Sequence, residues 1–594
     1  MATVEDDDAP ADAARPSETA TLRGFDRVTL AVAGVTLLAL VLRFVALGER
    51  IAHWDEARVG WWIPEFMQTG EFAYQPIIHG PFYQIVNRPV FAALGATDFT
   101  MRLVVALIGA LAPLTALGLR HRLRDVETVV FALFLAANPL ILYYTRFMRG
   151  DPLVAIFMLA AFVLFVRLWD FGEKRYLFGG VAFVALALTA KENAILYPVT
   201  WLGALVLVAD KRLLLAIERD EDWTSVLGAW LFRTLRALWA WLPWLALSAV
   251  EFLAIVVFFY APRANDPGEL GLYNALGDPS MLWPVIQEAT MGSVDKFLET
   301  WIHGGHQEHA YLPFLGHFLK SMGYGAIVLV VFAVAGFLVA RYARSSDRPL
   351  VEFAFFWGLL SVLGYPIVTD IQAGWTPIHA VVPLAIPAAV GVAIVVGWAR
   401  AAYRREDLLE LGMTVALLFV VAGLVASMGL WTVYLAPQSD ANHIVQYAQP
   451  GDDLRPALVA MQRASRDHEG IDVLLYGKFF VDDQDPNGGN PFVDGELRRG
   501  FIRSPACANW FNALPLPWYF RTADADVSCS PGVGDLQQRA RSGSPPPVVI
   551  ASNESAPDVR RAFPDYWSAT YELRTYGTET VFFVSPEYAN GTAG

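Results

Sequence analysis

Charge, lysine and cysteine are all scarce in this chain. Charged residues make up 17% of 594 positions, against 55% hydrophobic, and mean hydropathy is +0.39. That is too little charge to cover the surface of a soluble protein of this length. Only six of the 44 basic residues are lysines, and no basic stripe occurs, so nothing points to a nucleic-acid partner. The net charge is −14, and acidic, lysine-poor exposed segments suit a high-salt setting. The two cysteines, Cys507 and Cys529, lie near the C-terminal end. They are expected to pair if that region faces an oxidising exterior; two separately buried thiols are the other reading. No cleavable signal peptide is evident. Residues 1–26 are polar and acidic, with Asp6, Asp7 and Asp8 in a row, and read as a disordered cytoplasmic tail.

What is abundant is long apolar runs. A charged side chain at a helix centre costs ~2.5–3.5 kcal/mol on insertion, so runs lacking one read as membrane spans. About eleven are expected, at 28–47, 101–119, 127–145, 152–168, 176–190, 193–209, 237–260, 322–340, 351–369, 376–398 and 410–432. The expected fold is therefore a polytopic α-helical membrane protein. The densest basic clusters, around Arg120–Arg124, Lys174-Arg175, Lys211-Arg212, Arg341–Arg348 and Arg400–Arg405, all fall on one side of this arrangement. The positive-inside rule makes that side, and the N-terminus, cytoplasmic. The other side then holds two long loops, 48–100 and 261–321. It also holds everything after residue 434. An amphipathic helix over 450–467 and strands over 471–476, 547–551, 569–573 and 579–584 make 435–594 a small extracytoplasmic α/β domain following a membrane domain over 27–434.

Most of the unusual polar residues fall on that outer side. His53-Trp54-Asp55-Glu56-Ala57-Arg58 follows the first span directly; paired acids at a membrane surface are costly unless used or neutralised. Arg146-Phe147-Met148-Arg149-Gly150-Asp151-Pro152 puts two arginines on the outer face against the charge rule, and an anionic phosphate is a natural partner for them. Lys191-Glu192 sits between two apolar runs with almost no loop, where a mutual salt bridge at a tight turn is the plainer reading.

At this point the sequence resembles a known group. The Asp55-Glu56 pair after the first span is followed by His79-Gly80-Pro81-Phe82 and by Gly95-Ala96-Thr97-Asp98-Phe99-Thr100-Met101-Arg102. Together they resemble the protein mannosyltransferase and aminoarabinose transferase families, which are glycosyltransferases of the GT-C fold using lipid-phosphate sugars. The Arg146–Pro152 segment is similar to their second acidic loop, and Thr189-Ala190-Lys191-Glu192 stands in place of their Thr-Lys-Gly-Pro. His379-Ala380-Val381-Val382-Pro383-Leu384-Ala385-Ile386-Pro387 resembles their late Tyr-x-x-x-Pro-x-x-Pro span. The resemblance covers about 27–400. More narrowly, the chain resembles archaeal proteins named as flippase-activity-associated in N-glycosylation. Glu192 in place of Gly-Pro and His379 in place of Tyr are departures that bear on the donor or acceptor pocket.

The resemblance implies transfer of a sugar from a polyprenyl (dolichyl) phosphate, with inversion, to a glycan, lipid or protein acceptor at the outer membrane face. Asp55 is the expected general base, with Glu56 and Asp151 as further catalytic acids. Arg58, His79, Arg146, Arg149 and Lys191 are the expected cations for the leaving phosphate. Glu192, His303, His306, His309 and His379 are expected to line an acceptor or loop pocket. A divalent metal ion is the one cofactor left open, with Asp55, Glu56, His303 and His306 as candidate ligands, although the His303–His309 spacing is no recognised zinc signature. Asp483-x-Asp485-x-Asn487-Gly488 reads as an acidic surface loop in preference to a calcium loop. Asn553-Glu554-Ser555 and Asn590-Gly591-Thr592 are weak glycosylation acceptors. Membrane lipids and other glycosylation proteins are the expected partners. The competing function is a non-catalytic accessory to flipping of the lipid-linked sugar, holding the same phosphate. A transporter is disfavoured by the lack of an inverted repeat. En bloc glycan transfer is disfavoured by the lack of a Trp-Trp-Asp motif after residue 433.

Overall fold

The computed structural model describes residues 26–218, 222–303, 310–343, 347–369, 371–451, 453–481, 507–573 and 579–589. His306, His309, the 483–488 loop, the 590–592 triplet and the first 25 residues lie outside them. Among the described residues, nine helices are long and apolar enough to cross a membrane: Arg27–Phe44, Asp98–Gly118, Gly150–Phe171, Glu192–Lys211, Leu227–Tyr260, Tyr311–Tyr342, Pro349–Val368, Ile378–Arg404 and Leu408–Leu435. The protein is a multi-pass membrane protein. Two of the eleven expected spans take a different form. The 127–145 run is broken at Asn138-Pro139 into helices Asp125–Ala137 and Pro139–Tyr144. Proline removes a backbone donor and sets a new helix start. The 176–190 run is a single helix of 17 residues, Lys174–Ala190.

The two ends of the bundle differ in chemistry. At one end, Arg348 pairs with Glu127, Lys211 and Arg341 with Glu352, Arg122 with Asp170 and Arg120 with Asp26. These residues come from three of the five basic clusters of the sequence, and each is matched to an acid. The opposite end carries the start of Gly150–Phe171, the turn before Glu192 and the start of Ile378–Arg404. Two further helices from the first loop, Trp54–Thr69 and Phe82–Leu94, pack there, with their aromatic residues Trp61, Trp62, Phe66, Phe82 and Tyr83 buried.

Beyond the last span lies a five-stranded sheet with flanking helices, including Arg455–Asp467 and Leu516–Ala523. Its strands are β1 (Val473–Tyr476), β2 (Val527–Ser530), β3 (Val548–Ser552), β4 (Trp567–Glu572) and β5 (Glu579–Val584), in spatial order β2-β1-β3-β5-β4. β1 runs parallel to both neighbours, and β5 pairs antiparallel with β3 and β4. β1 and β3 are buried throughout, which is why they read as unbroken apolar runs. The strand without an apolar signature is β2, Val-Ser-Cys-Ser at the sheet edge. Cys529 on that strand forms a disulfide with Cys507.

Candidate active site

The site begins where the first span ends. His53 caps the Trp54–Thr69 helix: its Nδ1 accepts the Asp55 amide at 2.9 Å, while Glu56 reaches back to the His53 amide at 3.0 Å. This reciprocal cap satisfies two orphan helix donors, and it fixes the first turn carrying both acids where the helix dipole favours negative charge. Burial pushes His53 down to about 3, so it stays neutral and acts as an acceptor cap.

The two adjacent acids then part company. Asp55 is 3% exposed. Arg58 donates to its Oδ1 at 2.7 Å, and Arg149 Nη1 lies 3.0 Å from the same oxygen. Burial pushes the Asp55 carboxyl up, but the Arg149 and Arg58 guanidiniums outweigh it and hold it below its ordinary value. Glu56 turns the other way. Its oxygens accept from Arg102 at 2.9 and 2.8 Å, Arg50 at 2.9 Å, and the amides of His53 and Met148 at 3.0 and 2.9 Å. A carboxylate with no exposure and this many donors is a structural clamp. Its geometry does not suit the catalytic or metal-ligating role expected of it. Burial acts against ionisation there too, but Arg102 and Arg50 hold Glu56 well below the usual carboxylate range.

The second acid comes from the start of the Gly150–Phe171 helix. Lys191 Nζ donates to Asp151 at 3.1 and 2.9 Å and Asn193 Nδ2 at 3.0 Å; His379 Nε2 lies 3.1 Å away. A carboxylate only accepts, so Nε2 carries the His379 proton and Nδ1 accepts from the Tyr197 hydroxyl at 2.7 Å. The His379 ring stacks on Tyr365, with centroids 4.2 Å apart. Lys191 thus pairs with Asp151 and not with the adjacent Glu192. Glu192 instead accepts from the Tyr74 hydroxyl and lies 3.6 Å from His79 Nδ1.

Two glycines make this meeting of loops feasible. A Cβ at Gly80 would run into the Thr189 carbonyl, and one at Gly150 into the Ala190 carbonyl. The backbone on both sides therefore closes onto the turn presenting Lys191. His79, next to Gly80, adopts φ +63°, a left-handed conformation uncommon for a non-glycine residue and typical of functional sites. Its ring stacks on Trp301, centroids 5.5 Å apart. Burial and the neighbouring Lys191 and Arg149 push His79 well below its ordinary value, so it is neutral.

Arg149 lies on the Asp55 side of this cluster. Its guanidinium lies 4.1 Å over Trp375, it is 3% exposed, and its Nε and Nη1 have no aligned acceptor among the described residues. Nη1 is ion-paired with Asp55 without hydrogen-bond alignment, and Nε has no acceptor among the described residues; a buried donor left so is costly, and a phosphate would satisfy it. Arg146, expected as a second phosphate cation, has a different task. It donates to the carbonyls of Leu42, Arg43, Val45 and Ala46, closing the end of the first span, and it lies over Tyr434. Those carbonyls lie at or just past the end of the helix, where intrahelical donors run out; that of Leu42 accepts from the Tyr434 hydroxyl as well.

Of the expected site residues, Asp55, Arg58, His79, Arg149, Asp151, Lys191, Glu192 and His379 thus gather at one end of the bundle. His303 is exposed and outside that cluster. No group of three or more metal-ligating side chains occurs among the described residues. Asn193, Tyr197, Tyr365 and Trp375 carried no motif signal. Only the cost of a polar group within a span, as for Tyr197 and Tyr365, could have flagged them.

Residues 78–232 match the family described as dolichyl-phosphate-mannose-protein mannosyltransferase. Residues 454–585 match the Agl23 flippase-associated protein C-terminal domain. Among solved structures, ArnT from Cupriavidus metallidurans in the apo state is similar at 17% identity and a TM-score of 0.53, covering 94% of this chain and 98% of that one. The same protein bound to undecaprenyl phosphate is similar at 16% identity and a TM-score of 0.53, covering 94% and 99%. The fold is therefore the ArnT-like GT-C fold. The archaeal oligosaccharyltransferase AglB from Archaeoglobus fulgidus is more distant, at 13% identity and 0.45 over 91% of this chain and 72% of that one. No curated protein sequence matches the chain.

Proposed function

We propose that this protein is a membrane glycosyltransferase that moves a sugar from a polyprenyl-phosphate donor to an acceptor at the outer face. The observation carrying this reading is the paired arrangement around Asp55: a buried carboxylate kept ionised beside Arg149, whose remaining donors want an anion. The matched mannosyltransferase family and the undecaprenyl-phosphate complex of ArnT support the substrate class.

Asp55 takes the proton of the attacking acceptor hydroxyl as its oxygen bonds to the anomeric carbon. The bond from that carbon to the phosphate oxygen breaks on the opposite face, so configuration inverts. The electron pair leaves on the lipid phosphate, where Arg149 and Lys191 receive the charge. A carboxylate with a low pKa is a weak base, so the proton moves late, once bond formation has made the hydroxyl acidic. Asp151, with His379 and Asn193, fixes Lys191. The N-terminus is cytoplasmic in this reading, and the domain after residue 434 is outside. The acceptor is a glycan, lipid or protein, and other glycosylation proteins are the natural partners.

Asp55→Asn keeps the size of the side chain and removes the base. Membranes carrying it should lose ~10²–10⁴-fold of transfer from polyprenyl-phosphate sugars while expression and lipid-phosphate binding persist. The match of 454–585 to a flippase-associated domain favours one second reading, an accessory role in presenting the lipid-linked sugar. That reading wins if neither wild type nor variant transfers sugar, both bind the lipid, and cells lacking the protein accumulate inward-facing donor.

A further inference from the structure

The segment that leads into Asp55 does not hold its own conformation. Residues 50–53 lie between the first span and the Trp54–Thr69 helix, without regular structure and buried. Buried backbone groups must find partners; Arg102 donates to the Arg50 carbonyl at 2.8 Å and more distantly to that of Ile51 at 3.4 Å, and the chain after the last span supplies the others. Gln438 Oε1 accepts the Ile51 amide at 3.0 Å, and Gln449 Nε2 donates to the Ile51 carbonyl at 3.0 Å. Gln449 also accepts from Arg50, one of the arginines clamping Glu56. The Tyr519 hydroxyl accepts the Ala52 amide at 2.7 Å and donates to Asp98 at 2.9 Å, beside Trp518 Nε1 at 2.8 Å. One residue before Asp55, Trp54 donates its indole N–H to the Phe511 carbonyl at 2.9 Å and stacks on that ring. The other side of this link is Arg58, which lies 4.8 Å over Trp54 and binds Asp55.

We propose that the C-terminal domain is a working part of the active site, with Tyr519 and Gln449 as positioning residues that set Asp55. This rests on the glycosyl-transfer reading above. The local sequence supplies the cap, through His53 and Glu56, and Arg102 reaches the Arg50 and Ile51 carbonyls, but the Ile51 and Ala52 amides find acceptors only in the chain after the last span. The domain fixes that approach at three successive backbone groups and through Phe511. A shift of the helix start by ~1 Å misaligns a general base enough to cost on the order of 10²-fold in rate. The effect falls on kcat more than on donor KM, because Lys191 is held by Asp151 and Arg149 also packs over Trp375, outside this segment.

The test uses the full-length protein in lipid nanodiscs with Tyr519→Phe, Gln449→Ala and, as a control in the same interface, Arg521→Ala. Arg521 pairs with Glu65 at 2.8 Å, three turns further along the same helix and remote from Asp55. Amide exchange over 51–56 and transfer from dolichyl-phosphate mannose and dolichyl-phosphate glucose are measured, each corrected for the folded fraction. The expected result is exchange over 51–56 at least ~10-fold faster and kcat lower by ~10–100-fold in both Tyr519→Phe and Gln449→Ala, with donor KM within about threefold of wild type. Arg521→Ala should stay within about twofold on both readouts, even where it lowers the melting temperature as much. Unchanged exchange, unchanged kcat per folded molecule, or an equal loss in Arg521→Ala overturns the proposal; the second variant decides if the first does not fold. If the wild type transfers neither sugar, the transfer reading is what fails, and exchange over 51–56 then decides alone whether the domain sets this segment.

Discussion

Glu56→Gln separates a structural acid from a catalytic one. The substitution preserves shape and removes charge. In the native protein Oε1 accepts from Arg50, Arg102 and the Met148 amide, and Oε2 from Arg102 and the His53 amide. Whichever way the new amide turns, its NH2 faces at least two donors. Two charge-assisted bonds are lost at ~1.5–3 kcal/mol each, and two arginines remain buried without their counter-ion. The loss should be on the order of 3–5 kcal/mol, as for other broken buried pairs. It should appear as a lower melting temperature in detergent, with kcat per folded molecule reduced by no more than the ~10–100-fold of a displaced helix start, in contrast with up to ~10⁴-fold for Asp55→Asn. The pH dependence has a definite sign. The folded-state pKa of Glu56 is depressed, so its contribution is complete above the unfolded value of ~4.3 and is lost as pH falls below it. The stability gap between wild type and variant should therefore narrow on acidification below about pH 4. A variant that melts like wild type, or one that is stable but as inactive as Asp55→Asn, refutes this assignment.

Arg149→Gln removes the largest of the cationic influences on Asp55, so its carboxyl pKa should rise; the acid limb of the pH–rate profile should move to higher pH, and lipid-phosphate binding should weaken. An unmoved limb would disconnect Arg149 from the base. Gly80→Ala should displace the turn presenting Lys191, raising donor KM at least several-fold, whereas alanine at Gly95, where φ is +80° but no neighbour lies near, should affect only stability. Titration with donor lipid distinguishes the two. Cys507→Ser with Cys529→Ser opens a link spanning 22 residues and should cost ~3 kcal/mol, confined to the C-terminal domain. Limited proteolysis of that domain in reduced and oxidised protein reads the effect.

The sequence by itself determined the class of molecule and the ends of the site. Apolar runs, basic clusters and the order of the Asp55, His79, Arg149 and Lys191 segments are local features. Each carries its physical meaning, insertion cost or charge asymmetry, in a few neighbouring residues. The β1 and β3 strands were legible for the same reason, as short apolar runs bounded by turns, whereas edge strand β2 was hidden by its serines. What only the tertiary structure decided is how adjacent residues divide their work. Asp55 and Glu56 are neighbours of the same chemistry, yet one faces Arg149 and the other Arg102, because successive positions on a helix point about 100° apart. Arg146 and Arg149 separate likewise, one onto helix-end carbonyls and the other onto Trp375. Lys191 bypasses Glu192 for Asp151, 40 positions away, and the backbone before Asp55 is held by Tyr519, more than 460 positions later. Such pairings join residues whose sequence separation carries no local signal; they exist because buried polar groups in a packed bundle must find partners wherever the fold brings them.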